Sequence, residues 1–188
     1  VNGNLQDYVK SYSLTIFEKI DILIDVTIAL HYLHTRYPNK IMHRDIKPSN
    51  ILLNEYKQAK LSDFGISKIQ NKNDRSNDNS SEKGTYIWMA PEVLIGNAYN
   101  QTAGIYSLGL VMYFLLSENL PFYQYNLNMV QLMLKKSKYE VELNLDEIKN
   151  AQLKYLIGMC VSRIITERPT AEYIIKVLYD ILDDIEKN

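Results

Sequence analysis

The sequence predicts a mainly α-helical fold that carries one small β-hairpin. Three observations predict it: an apolar repeat every three or four residues from Thr15 to Tyr37, an unbroken apolar run from Ala103 to Leu116, and a change of period between Ile41 and Phe64. With 188 residues, 46% of them hydrophobic and 23% charged, the chain has material for one sizeable core and is too apolar for a disordered segment. Lys and Arg number 21 against 22 Asp and Glu, a formal charge of −1. That balance supplies no bulk attraction to nucleic acid or to an anionic membrane, so neither is expected as a partner. The single cysteine, Cys160, has no partner for an internal disulfide, and no Cys/His cluster has zinc spacing. A reducing, cytoplasmic address is the expectation. Val1 to Ser11 lacks the basic-then-apolar pattern of a signal peptide. Ile20 to Leu30 is interrupted by Asp21 and Asp25, and Ala103 to Leu116 falls short of the roughly 20 residues that cross a bilayer. No membrane span is expected.

Taken in order, the first helix is carried by Ile16, Ile20, Leu23, Thr27, Leu30 and His34, and Pro38 and Asn39 end it. Ile51-Leu52-Leu53 and Ala59-Lys60-Leu61-Ser62 are strand candidates on either side of the polar turn Asn54–Gln58, which predicts the hairpin. Gln70 to Lys83 has no apolar residue, and its Asn, Asp and Ser content predicts a surface loop. Ala103 to Leu116 is apolar on every face and reads as a helix buried at the centre of the domain. Asn128 to Lys138 is amphipathic, with basic residues that suit a helix C-terminus. Ala151 to Val161 is another helix. The last follows Pro169, with Thr170 as N-cap and an inward stripe of Ala171, Ile174, Leu178, Ile181 and Ile185. Met112, Met129 and Met133 are expected to fill the core, and Cys160 to behave as a small buried hydrophobe.

The chemistry is concentrated in His43-Arg44-Asp45-Ile46-Lys47-Pro48-Ser49-Asn50. Asp63-Phe64-Gly65 follows, then Gly84-Thr85 and Ala90-Pro91-Glu92. In this order and at these spacings the motifs resemble the signature of eukaryotic protein kinases, and the resemblance covers essentially the whole chain. It implies a protein kinase-like fold, α+β overall, of which residues 1–188 are the mainly α C-terminal lobe. Lys47 and the stretch Gly84-Thr85-Tyr86-Ile87-Trp88-Met89-Ala90-Pro91-Glu92 resemble a serine/threonine kinase of the tyrosine-kinase-like group. The implied activity is Mg²⁺-assisted transfer of the ATP γ-phosphoryl group to a Ser or Thr hydroxyl of a protein substrate.

By that resemblance Asp45 is the catalytic base and Lys47 contacts the moving phosphoryl group. Asn50 and Asp63, at opposite ends of the hairpin, are the metal ligands, and both are hard oxygen donors of the kind Mg²⁺ takes. Leu52 packs under the adenine, and Asn4 and Asp7 fall near the ribose. Thr85 contacts the catalytic loop and favours hydroxyl-bearing Ser/Thr substrates. His43 packs against Phe64 without proton transfer, and Glu92 with Arg168 forms a structural ion pair. Asp63 to Glu92 is the activation segment. A phosphoserine at Ser76, Ser80 or Ser81, placed there by an upstream kinase, would pair with Arg44 and order it.

Two departures stand out. The Gly-rich loop, the strand lysine and its glutamate partner belong to an N-terminal lobe that would precede Val1 by roughly 80 residues. Gly104 stands where the family usually has an aspartate that anchors the catalytic loop, so a looser loop is expected. These departures favour a competing reading, a pseudokinase or truncated kinase that acts as a non-catalytic protein-binding module. A small-molecule kinase is a third reading, opposed by Ala90-Pro91-Glu92 and the long activation segment.

Overall fold

In the computed structural model residues 2–38, 40–63 and 85–187 are described. The helices are α1 (Leu5–Ser11), α2 (Ile16–Thr35), α3 (Pro91–Leu94), α4 (Gln101–Ser117), α5 (Met129–Ser137), α6 (Ala151–Cys160) and α7 (Ala171–Glu186). The strands β1 (Ile51–Leu53) and β2 (Ala59–Leu61) lie between α2 and α3 in the chain. The Gln70–Lys83 stretch expected as a surface loop lies outside the described residues.

Helix α2 starts in a capping box. Thr15 Oγ1 accepts from the Glu18 amide at 3.2 Å and Glu18 Oε2 accepts from the Thr15 amide at 2.9 Å, satisfying two otherwise orphaned donors. Ile20, Leu23, Thr27, Leu30 and His34 are buried as the repeat predicts, whereas Ile16 is exposed. The helix stops at Thr35, two residues earlier than the sequence pattern runs, because the residue before Pro38 is sterically disfavoured from helical geometry.

Helix α4 is the centre of the molecule, with every residue from Ala103 to Leu115 buried. Asn100 caps it, its side chain accepting from the Ala103 amide at 3.1 Å. It packs on α2 and α6, while α2 also contacts α7 and β2. Gly109 permits the approach of α4 to α6: a Cβ there would sit 2.6 Å from Cys160 Cβ. Cys160 is 0% exposed, and burial pushes its thiol up to about 12.

In α7, Thr170 Oγ1 accepts from the Tyr173 amide at 3.2 Å, and Ala171, Ile174, Leu178 and Ile181 face inward. Ile185, the end of the predicted stripe, is half-buried. Met112 is buried, but Met129 and Met133 on the short surface helix α5 are half-buried rather than core residues. Lys136 departs most from expectation. It is one of the basic residues expected at the C-terminus of this helix and stands in its last turn, yet it turns inward one helical turn after Leu132 and is 1% exposed.

The hairpin is antiparallel with Ile51 opposite Leu61, Leu52 opposite Lys60 and Leu53 opposite Ala59. Ile51, Leu53, Ala59 and Leu61 face the core, and Leu52 faces out. Asn54 Oδ1 closes the turn by accepting from the Tyr56 and Gln58 amides, both at 2.9 Å. The start of the chain runs beside β1: the Asn2 amide donates to Leu53 O at 2.9 Å, the Leu53 amide donates to Gly3 O at 2.8 Å, and Asn4 bridges Leu52. Helix α1 follows, an element the sequence pattern does not predict. Among the described residues no helix is long and apolar enough to cross a membrane.

Candidate active site

Between α2 and β1 the chain makes a short 3₁₀ turn at Pro48–Asn50, and side chains hold the rest. Asp45 is 6% exposed. Its Oδ2 accepts from Asn50 Nδ2 at 2.8 Å and pairs with Lys47 Nζ at 2.9 Å. Asn50 Nδ2 also donates to the Asp45 carbonyl at 2.8 Å, which locks the loop across five residues. Lys47 Nζ donates onward to Thr85 Oγ1 at 3.0 Å, tying the catalytic loop to the segment before α3. Asp45 Oδ1 is buried and has no hydrogen-bond partner among the described residues. A buried carboxylate oxygen left without a donor is costly unless a ligand supplies one, so Oδ1 is the oxygen of the set open to an incoming donor.

His43 is committed at both nitrogens. Nε2 donates to Ser62 O at 2.9 Å, and Nδ1 accepts from the Asp45 amide at 3.3 Å. Burial holds its pKa below the ordinary histidine value, partly offset by the Ser62 carbonyl and the charges of Asp45 and Asp63. A neutral imidazole with both nitrogens engaged links the backbone at Asp45 to the residue after β2. Phe64, its expected packing partner, lies outside the described residues, as do Ser76, Ser80 and Ser81.

The hairpin register continues past β1 and β2. The Ser62 amide donates to Asn50 O at 2.8 Å and Ser62 Oγ donates to the same oxygen at 3.0 Å. Asp63, the next residue, therefore leaves the sheet beside Asn50. It does so with a left-handed φ of 61°, and Arg44 has φ 71°. Non-glycine residues in that region carry backbone strain of order 1–2 kcal/mol, which persists where surroundings impose it and clusters at functional sites. The donor set fits Mg²⁺. Both Asn50 contacts use its amide nitrogen, so its carboxamide oxygen is left for a cation, and the Asp63 carboxylate is exposed. Among the described residues no three His, Cys, Asp or Glu side chains group as an all-protein metal cage, and Mg²⁺ shared with phosphate oxygens needs only one or two such protein ligands.

Leu52, 40% exposed, and Asn4 lie side by side across their bridge. Asn4 caps α1 by accepting from the Asp7 amide at 2.9 Å, and its Nδ2 donates to Asp7 Oδ2 at 2.9 Å. That bond, with a second from Lys10, holds the Asp7 carboxyl below the ordinary aspartate value. Arg44 Nε is buried without a partner among the described residues. Glu92 and Arg168 form a bidentate pair at 2.5 and 3.0 Å with side chains 4% and 0% exposed. Arg168 also donates to Ser162 O and Thr102 O and stacks 4.9 Å from the Tyr106 ring.

Sequence reasoning places His34 in the α2 repeat but misses Tyr99 and the meeting of the two at Gly104. A Cβ at Gly104 would meet Tyr99 Oη at 3.3 Å and His34 Nε2 at 3.4 Å, and both atoms are buried without partners among the described residues. Burial lowers the His34 pKa to about 4, so the ring is neutral near pH 7. These two side chains stand where the family's aspartate would project, and Tyr99 is within electrostatic reach of Asp45 and Arg44. Gly104→Asp gives two orphaned groups an acceptor, so the thermal midpoint is expected to rise by about 2–4 °C. Scanning calorimetry that shows no rise would mean the two groups are already satisfied.

Comparison with known proteins agrees with this geometry. A family model described as the protein kinase domain matches residues 1–179. The chain is 34% identical to the probable serine/threonine-protein kinase gdt2 of Dictyostelium discoideum over 194 residues, covering 99% of this chain and 11% of that protein. It is 31% identical to the serine/threonine/tyrosine-protein kinase HT1 of Arabidopsis thaliana over 179 residues, covering 94% of this chain and 44% of HT1. With the serine/threonine-protein kinase STY17 of the same plant the identity is 29% over 185 residues, or 97% of this chain and 31% of STY17. The chain thus spans less than half the length of each of these relatives. It belongs to the protein kinase domain family, and its mainly helical body with a two-stranded hairpin corresponds to the C-terminal lobe.

Proposed function

We propose that residues 1–188 are the C-terminal lobe of a serine/threonine protein kinase that acts inside the cell. The protein transfers the γ-phosphoryl group of ATP to a Ser or Thr hydroxyl of a protein substrate. The observation that carries this reading is the Asp45–Asn50–Lys47–Thr85 network with one carboxylate oxygen left open. Asp45 Oδ1 accepts from the substrate hydroxyl and orients it for attack. Lys47 sets positive charge beside the phosphoryl oxygens as negative charge moves. Asn50 and Asp63 hold Mg²⁺, which neutralises charge on the phosphates when bound. Thr85, held by Lys47, favours a Ser or Thr acceptor. Leu52 carries the adenine, with Asn4 and Asp7 near the ribose. Arg44 is the receiver for a phosphate on Ser76, Ser80 or Ser81, installed by an upstream kinase.

The second reading, a non-catalytic module that binds protein partners, is favoured by Gly104. One experiment separates them: the full-length protein with ATP and Mg²⁺ is offered Ser, Thr and Tyr peptide libraries. Mg²⁺-dependent label on Ser or Thr is expected. No label on any peptide, with nucleotide binding intact or absent, overturns the kinase reading.

A further inference from the structure

The geometry points to Lys136 as a positioning residue that sets affinity for the peptide substrate by fixing the backbone beside Asp45. This inference rests on the kinase reading above. Lys136 is on α5, far in sequence from the catalytic loop, and its amine is buried at 1% exposure. Nζ donates to Ile87 O at 2.5 Å. The ring centroids of Tyr106 and Phe122 lie 5.1 and 5.0 Å from the same nitrogen. One carbonyl and two π faces account for the three N–H directions of the group, so it is occupied as a strut. Burial pushes its pKa well down, and the Glu92 carboxylate works against that shift.

What the strut holds is the segment between Thr85 and Ala90. That segment is pinned at one point by Lys47, which donates to Thr85 Oγ1. It is pinned again two residues later by Lys136 at the Ile87 carbonyl. Tyr86, between the pins, and Ile87 are half-buried, and the next residue, Trp88, turns inward, donates its amide to Thr85 O at 3.0 Å and packs edge-on against Phe114. Lys47 bridges Asp45 Oδ2 and Thr85 Oγ1, so this backbone lies beside Asp45 and within reach of a chain that presents its hydroxyl to Oδ1. Lys136 in turn shares the Tyr106 ring with Arg168, and Arg168 pairs with Glu92. The substrate-side backbone is thereby braced against the ion pair at the base of α3. A lysine that only stabilised the fold would have no reason to act on the peptide more than on ATP.

The test uses the full-length protein and a peptide it phosphorylates. Lys136→Met keeps the aliphatic stem between the two rings and removes the donor to Ile87 O. The expected result is a peptide KM raised about tenfold, with kcat and the KM for ATP within about twofold of wild type. Faster amide exchange from Tyr86 to Met89, with α7 unchanged, is expected alongside. Should Lys136→Met fail to fold, Phe122→Leu removes one ring and keeps the amine, and a rise of about threefold in the same KM is expected. A peptide KM unchanged, or a loss shared equally by peptide and ATP, overturns this inference while the kinase reading stands. An inactive wild type overturns the kinase reading itself and this inference with it.

Discussion

Replacing Asp45 with alanine in the full-length protein is expected to lower kcat for peptide phosphorylation by about 10²–10⁴-fold, the range a positioned general base contributes. The Kd for ATP and Mg²⁺ is expected to change less than about twofold, because the proposed assignment gives the metal-binding oxygens to Asn50 and Asp63 and the adenine surface to Leu52. Among the described residues Oδ1 has no donor, whereas Oδ2 is engaged by both Asn50 and Lys47, so Oδ1 is the oxygen open to a hydroxyl. Losing it removes the acceptor and also releases Lys47, which keeps only Thr85 of these two contacts. Single-turnover rates measured beside nucleotide titration separate the two effects. Equal activity of wild type and variant would remove Asp45 from the chemistry.

The largest expected effect on stability is at Glu92 and Arg168. The pair is bidentate, fully enclosed and joins α3 to the residues just before α7. Removing one partner strands a buried charge, and about 3–5 kcal/mol is the usual loss. At about 2–4 °C per kcal/mol for a domain of this size, Glu92→Ala is expected to lower the midpoint by about 6–20 °C. Arg168→Met is expected to fall in the same range, since it also releases the Ser162 and Thr102 carbonyls. The double variant should lose much less than the sum, because neither charge is then stranded. Urea unfolding of the four proteins reads this coupling. Strict additivity would show that the two side chains act independently.

How far the sequence could be read depended on whether a residue's role is local. Helix α4 was legible because a run apolar on all faces has nowhere to go but the interior, and α7 because Pro169 and Thr170 mark its start. Helix α1 was not, since the Asn4 and Asp7 pattern that caps it suits a turn as well as a seven-residue helix. The hairpin could be placed from its alternation and polar turn, and its register is what sets Asp63 next to Asn50. The ion pair spans 76 residues and was visible only through the family resemblance. The place of Lys136 in the last turn was legible and its burial was not, because charge at a helix C-terminus is ordinary, although its place four residues after Leu132 was a signal. Nothing local could show that Tyr99 and His34 converge on Gly104 from other elements.

The close approach of α4 to α6 has a consequence for watching this molecule open. Its lone thiol sits where the two helices touch, sealed from solvent and held protonated. An alkylating reagent reaches it only when those helices separate, so each adduct records one such separation. The chain carries an internal reporter of its most deeply buried seam, with no second sulfhydryl to confuse the signal.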